Sequence, residues 1–308
     1  MEKRRRAINS DNLAGHLLSL GFTGAKIYAG ELLSKHCSFK IGGIADFYIE
    51  IPNEQTLKSF LLKASSLKFK YFILGGGTNV LFSDSGYNGA VVRLTGDFEK
   101  ISVNGEKIAC GAGASLSAVL KKAAENNFSG LECCAGIPGT AGGAVFGNAG
   151  SKNGSIGEFV ESVEIYNENG QKELINKEKI DFQYRKSGLE NFVITKINFC
   201  LKKEAGNDIL KEILESTVRR SKTQPLNLPN AGCIFKNPQG FSAGKLIEDA
   251  GLKGKSSGGA KISEVHGNFI VNTGSAKCGD VLCLIRSVQA EVKEKFGVDL
   301  QLEIKTVN

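Results

Sequence analysis

Hydrophobic positions along the 308-residue chain come in short runs of changing period. Leu13, Leu17 and Leu20 recur at helical spacing and predict a short amphipathic helix within residues 11–20. Tyr71, Phe72, Ile73 and Leu74 form a compact apolar run ending in Gly75, Gly76 and Gly77, which reads as a buried strand emptying into a loop. Val91, Val92 and Leu94 mark a further strand, and Ile101, Val103, Ile108 and Cys110 predict a hairpin about Asn104 and Gly105. Ser115 stands where it can cap a helix carrying Leu116, Val119, Leu120, Ala123 and Ala124. Residues 159–166 and 192–201 read as strands, the first followed by a turn at Asn169 and Gly170. The polar stretch 202–208 reads as a domain linker, with a helix beyond it that keeps Ile209, Ile213 and Thr217 in register. Val281, Leu284, Ile285, Val288, Val292 and Phe296 make one helical stripe closed by Gly297. Val298, Leu300, Leu302 and Ile304 then alternate with Asp299, Gln301, Glu303 and Lys305, the pattern of a half-buried strand. Helices and strands mix without a regular βαβ rhythm, so the predicted fold class is α+β.

Composition adds one anomaly. The 38 glycines cluster in a few loops, which suggests backbone passing close to something other than side chains. The formal charge of +7 favours anionic partners. The one basic run, Lys3, Arg4, Arg5 and Arg6, lies in the terminal tail, and no nucleic-acid motif accompanies it. Small anionic ligands therefore explain the charge, and nucleic acid is not an expected partner. The eight cysteines include no Cys-x-x-Cys spacing, and His16, His36 and His266 stand far apart, so no metal site is expected. Most of the thiols read as small buried apolar groups. Residues after the basic tail are too polar for a signal peptide, and no apolar stretch reaches the roughly 20 residues that span a bilayer. The expectation is a cytoplasmic protein.

Three glycine-rich stretches could carry chemistry: residues 41–46, 74–80 and 136–150. Bare glycines let a diphosphate approach amide N–H groups directly. One such stretch is most simply a tight turn, whereas three in one region point to a dinucleotide. No Gly-x-Gly-x-x-Gly follows a strand with an acidic partner downstream. Gly251, Gly254, Lys255 and Ser256 imitate a phosphate loop that lacks its first glycine, and they read as a basic surface turn.

Residues 39–43, 74–79 and 136–140, with Asn148, Ala149 and Gly150, resemble the FAD-binding signatures of the UDP-N-acetylenolpyruvoylglucosamine reductase family. Residues 184–187, 224–226, 231–238, 243–248, 250–254 and 268–272 follow in that family's order, and the spacing is that of its shorter class. Thr223, Gly147 and Gly267 depart from its commoner pattern. The resemblance covers about residues 35–305 and implies a two-lobed FAD domain of the vanillyl-alcohol-oxidase type. The implied division is an N-terminal helical segment at 1–34 and FAD-binding lobes at about 35–95 and 96–202. A substrate-binding domain follows at 203–308.

The activity so implied is NADPH-dependent reduction of UDP-N-acetylglucosamine enolpyruvate to UDP-N-acetylmuramate through non-covalent FAD, in a chain expected to be monomeric. Arg185, Cys233 and Glu303 match the family's catalytic positions. Cys233 would be the proton donor, Arg185 would grip a carboxylate, and Glu303 would orient the acid or the intermediate. Ile41, Gly42, Gly43, Gly75, Gly76, Gly77, Thr78, Asn79, Gly136, Ile137, Pro138, Gly139 and Asn148 are the implied cofactor positions. Tyr184, Lys236 and Asn237 are the implied substrate contacts. By pattern alone Glu303 reads equally well as part of a solvated strand face. Two rival functions are another flavin oxidoreductase of the same superfamily and a non-enzymatic nucleotide-binding protein.

Overall fold

The computed structural model describes residues 22, 24–204 and 208–308, so the helix expected within 11–20, and His16 with it, lies outside the described residues. Strand Lys26–Leu32 pairs antiparallel with Ile44–Ile51, which pairs parallel with Tyr87–Leu94, which pairs parallel with Tyr71–Ile73. Helix α1 (Glu54–Leu67) starts where the Asn53 side chain accepts from Thr56 N at 2.9 Å.

A second, antiparallel sheet runs in the order Lys172–Asn176, Val160–Tyr166, Val193–Cys200, Lys107–Gly111, Ile101–Asn104. Helices α2 (Leu116–Glu125) and α3 (Ala141–Phe146) belong to this part of the chain. Ser115 occupies the N-cap of α2, but its hydroxyl is paired with Ser117 Oγ at 2.8 Å instead of the helix amides. Lys202–Lys203, expected to begin a linker, is tied down as a short strand against Phe128–Ser129.

Beyond it come α4 (Asp208–Thr223), α5 (Ala243–Asp249) and α6 (Cys278–Phe296). A third antiparallel sheet runs Asn230–Cys233, Phe269–Asn272, Ala260–Ile262, Ser256–Ser257. Gly297 closes α6 in the left-handed region at φ 70°. The predicted stripe on α6 is buried except for Phe296.

The alternating residues after Gly297 form no continuous ladder. Leu302 makes one isolated bridge to Phe235, and the strand proper is Lys305–Val307, parallel to Val80–Phe82. The period-2 burial survives because two different partners take the chain in turn.

Alternation in the first sheet sets the plan of the molecule. Phe47, Ile49, Ile51, Ala90, Val92 and Leu94 face a core shared with the second sheet. Tyr48 and Val91 point the other way, and Ala45 joins them across a register irregularity before Phe47, into a core shared with Ala231, Ile234, Phe235, Val281, Leu284 and Val288. Each such aliphatic or aromatic side chain, fully buried, contributes about 1.5–3 kcal/mol. A strand that feeds two cores must be apolar on both faces, which is why 90–92 reads as a continuous apolar run. All eight cysteines are free; Cys200 and Cys283 are exposed, contrary to the buried reading, because neither side chain faces a core. Among the described residues no His, Cys, Asp and Glu cluster could hold a metal ion, and no helix is long and apolar enough to cross a membrane.

Candidate active site

The second and third glycine-rich stretches meet. A Cβ on Gly76 would stand 2.6 Å from the Gly139 Cα, so the two loops touch through bare backbone. Thr78 Oγ1 donates to Pro138 O at 3.2 Å and locks them together. The residues just before the first stretch lie behind them, with Ser38 N donating to Gly77 O at 2.9 Å. A side chain on Gly77 would strike the His36 carbonyl, and Ile41 turns its side chain into the core, leaving only its backbone for a ligand. Among the described residues no group accepts a hydrogen bond from the amides of Gly75, Gly76, Gly77, Thr78 or Asn79. Five consecutive unclaimed donors on a glycine loop suit an anionic diphosphate, so these residues fit a dinucleotide such as FAD. Asn148 differs from the other positions expected at the cofactor. Both ends of its side chain are bonded to protein backbone, to Gly157 N at 3.0 Å and Gln183 O at 2.9 Å.

Arg185 sits in a tight turn in which Gln183 and Lys186 exchange backbone hydrogen bonds of 2.9 and 3.1 Å. Its φ of 58° is unusual for a side-chain-bearing residue and marks a conformation held by its surroundings. Arg185 Nε donates to Glu303 Oε1 at 2.8 Å, and Nη2 donates to Gly150 O at 3.3 Å. The pair is largely sheltered, at 25% and 17% side-chain exposure, so Glu303 belongs to a partly buried ion pair, not a solvated strand face. Glu303 N donates to Ile234 O at 2.8 Å, and Asn79 Nδ2 donates to Glu303 O at 3.1 Å. The C-terminal chain is thus clamped between the glycine loop on one side and the residue after Cys233 on the other.

Cys233 completes the group. Burial, and then the Glu303 carboxylate, push its thiol up to about 12, while Arg185 and Arg220 pull the other way. Burial likewise raises the Glu303 carboxyl above its ordinary value against the opposing charges of Arg185 and Lys236. Lys236 N donates to Gln301 O at 2.8 Å. Tyr184, 52% exposed, places its ring 5.1 Å from the Arg185 guanidinium carbon, and its hydroxyl accepts from Asn237 N at 3.3 Å. Asn237 Oδ1 accepts in turn from Ala243 N, at the start of α5. All six positions expected to react or touch substrate therefore gather where the third glycine loop, the 183–186 turn and the C-terminal chain meet.

Sequence reasoning missed Arg220. It is half-buried on the last turns of α4, beside Gly136, and burial lowers its basicity. Arg219 and Arg220 precede Lys222 in one basic run, and only the helix phase reveals which of them turns inward. Arg219 and Lys222 are exposed.

Residues 224–307 match the family described as UDP-N-acetylenolpyruvoylglucosamine reductase, C-terminal domain, and residues 45–173 match the FAD binding domain. The UDP-N-acetylenolpyruvoylglucosamine reductase of Caldanaerobacter subterraneus subsp. tengcongensis is 44% identical over 284 residues, covering 92% of this chain and 94% of that protein. Its counterpart from Clostridium botulinum is 41% identical over 281 residues, covering 90% and 91%. The crystal structure of the Thermus caldophilus reductase superposes with a TM-score of 0.80 at 36% identity, covering 92% of this chain and 99% of that one. At this identity and coverage the chain belongs to the UDP-N-acetylenolpyruvoylglucosamine reductase family of oxidoreductases.

Proposed function

We propose that the protein uses NADPH and non-covalently bound FAD to reduce UDP-N-acetylglucosamine enolpyruvate to UDP-N-acetylmuramate, a step in building the bacterial wall. We also read residues 35–202 as the FAD-binding part and 203–308 as the substrate-binding part of a cytoplasmic monomer. The observation that supports the reaction best is the Arg185–Glu303 ion pair set against a protonated Cys233 thiol beside an unclaimed row of loop amides.

FAD, which the amides of Gly75, Gly76, Gly77, Thr78 and Asn79 would hold, would supply hydride chemistry toward the enolpyruvyl group. The chain's own residues manage the charge and the proton that follow. Arg185 is permanently cationic and presents parallel N–H groups to the substrate carboxylate, where negative charge grows as C3 is attacked. Cys233 delivers its proton to C2, completing the lactyl ether, and the thiolate is reprotonated from solvent. Glu303 fixes the guanidinium through its 2.8 Å bond and keeps the Cys233 proton on sulfur through its negative charge. Lys236 offsets charge on the UDP moiety, with Tyr184 and Asn237 lining the approach.

An anaerobic experiment tests the reading. NADPH should bleach the flavin of the purified protein, and the enolpyruvyl substrate should restore its colour with one product formed per flavin. A reduced flavin that stays bleached in the presence of that substrate would refute the proposal.

A further inference from the structure

We infer that Asn148 and Asn268 are positioning residues. Each uses both ends of its side-chain amide to fix the main chain next to a reacting side chain, Asn148 at the turn of Arg185 and Asn268 at the segment of Cys233. The inference rests on the reaction proposed above and assigns these two residues a task within it.

Asn148 is 6% exposed. Its Nδ2 donates to Gln183 O at 2.9 Å, two residues before Arg185, and its Oδ1 accepts from Gly157 N at 3.0 Å. The Gln183 carbonyl is the hinge of the two-residue turn, so holding it fixes the direction in which Arg185 leaves the backbone at φ 58°. Ser187 Oγ secures the far side of the same turn by donating to Phe146 O at 2.8 Å. Both anchors, Phe146 and Asn148, lie within the third glycine-rich stretch. That stretch and the Arg185 turn are therefore tied together by hydrogen bonds.

Asn268 is 3% exposed. It clasps a single residue from both sides, Nδ2 donating to Phe235 O at 2.7 Å and Oδ1 accepting from Phe235 N at 2.9 Å, while its own carbonyl accepts from Ile234 N at 2.9 Å. The side chain thus acts as one more residue of sheet. The segment it holds lies between Cys233 and Lys236, and the Ile234 carbonyl accepts from Glu303 N. Rotating the 234–235 peptides would displace Cys233 and Glu303 together.

Asparagine is the side chain such a clasp requires, because it carries one donor and one acceptor on a short planar group. An ionised aspartate would set an oxygen against the Gln183 or Phe235 carbonyl, whereas a protonated one restores the missing donor. Buried beside a carbonyl, that carboxyl titrates above its ordinary value of about 3.9, so the defect should be reversible by acid.

The test compares N148D and N268D with wild type as holoenzymes in anaerobic stopped flow. Reduction of the flavin by NADPH should stay within about threefold of wild type, with normal FAD content. Reoxidation by the enolpyruvyl substrate at pH 8 should slow by about 10²-fold, the scale of an ångström-sized misplacement. It should recover at least about tenfold at pH 6, a gain that wild type, N148A and N268A lack. Reoxidation at the wild-type rate would overturn the inference. So would equal slowing of both half-reactions or loss of FAD, since either would mean general structural support. If wild-type flavin is not reoxidised by this substrate, the proposed function fails, and the inference is then judged on Cys233 alone. Peptide-resolved alkylation of Cys233 at pH 9 should be about tenfold faster in N268D, which frees the segment, and about threefold slower in N148D, which turns Arg185 away. Rates equal to wild type would overturn it on this readout.

Discussion

At the scale of single residues, the arrangement keeps a proton on Cys233. A free thiol titrates at about 8.5, whereas burial and Glu303 push Cys233 up to about 12. The folded value is raised, so the stabilisation of the neutral thiol is complete below about pH 8.5 and is lost as pH climbs towards about 12. Alkylation of Cys233 should accordingly rise about tenfold per pH unit from pH 9 to 11 without a plateau. Peptide mass spectrometry checks this, and a plateau for Cys233 near pH 9 would contradict it. The same protonated state underlies a substitution series. Cys233→Ser keeps a transferable proton and should retain substantial activity. Cys233→Ala should slow flavin reoxidation by about 10²–10⁴-fold with reduction by NADPH unaffected, as stopped flow would resolve. Turnover of the alanine variant at the wild-type rate would remove Cys233 from the reaction. These residues were legible in the sequence only through the ordered motifs. Pattern alone left Glu303 on a strand face, because an ion pair across 118 residues has no local signature. Arg220 was hidden for a related reason, its inward phase on α4 being set by packing against Gly136.

At the scale of elements, the stripes of α2, α4 and α6 were legible because they record burial directly, whereas α1 (Glu54–Leu67) was not read. The stripe on α6 and its left-handed Gly297 are where the spacing put them. The start of α2 fell at Ser115 as expected, although its hydroxyl pairs with Ser117 and not with the helix amides, whereas the linker boundary failed because Lys202–Lys203 pairs with Phe128–Ser129. The second acceptor at the start of α6 could not be read at all, because it comes from far away in the chain. Asp84 accepts from Cys278 N at 2.8 Å and from Gly279 N at 3.1 Å, bringing a carboxylate to the positive end of a 19-residue helix. Asp84→Ala should cost about 1 kcal/mol of stability, the usual worth of an N-cap, and lower the thermal midpoint without altering the Cys233 alkylation rate. Differential scanning calorimetry measures the first and mass spectrometry the second. An unchanged midpoint would mean that Asp280, which accepts from Lys277 N at 2.9 Å, already suffices for this end of α6.

At the scale of the whole molecule, the core crosses the linker near residue 202. Leu33, Phe39, Tyr48, Leu81, Phe82 and Val91 come from the first part of the chain. They pack into one cluster with Ile234, Phe235, Ile247, Val281, Leu284, Val288 and Ile304 from the last. Lys305–Val307 then returns as a strand beside Val80–Phe82, and Asn272 Nδ2 donates across the junction to Phe39 O at 3.1 Å. Without the first sheet, the C-terminal part would leave much of this cluster facing water. Such a junction lets Asn79 touch the Glu303 backbone, but it also removes the independence expected of separate domains. Leu81 lies at its centre, fully buried, one residue beyond the Asn79–Val80 step that leads out of the glycine loop. Leu81→Ala should therefore cost about 2–5 kcal/mol, as other large-to-small changes in closed cores do. The loss should appear everywhere at once. Far-ultraviolet circular dichroism, flavin fluorescence and hydrogen exchange of α6 amides should report one coincident denaturant transition in wild type, shifted as a unit in the variant. If α6 instead opened at lower denaturant while the flavin signal stayed native, the two parts would have separable cores, and the shared cluster would be contact without cooperativity.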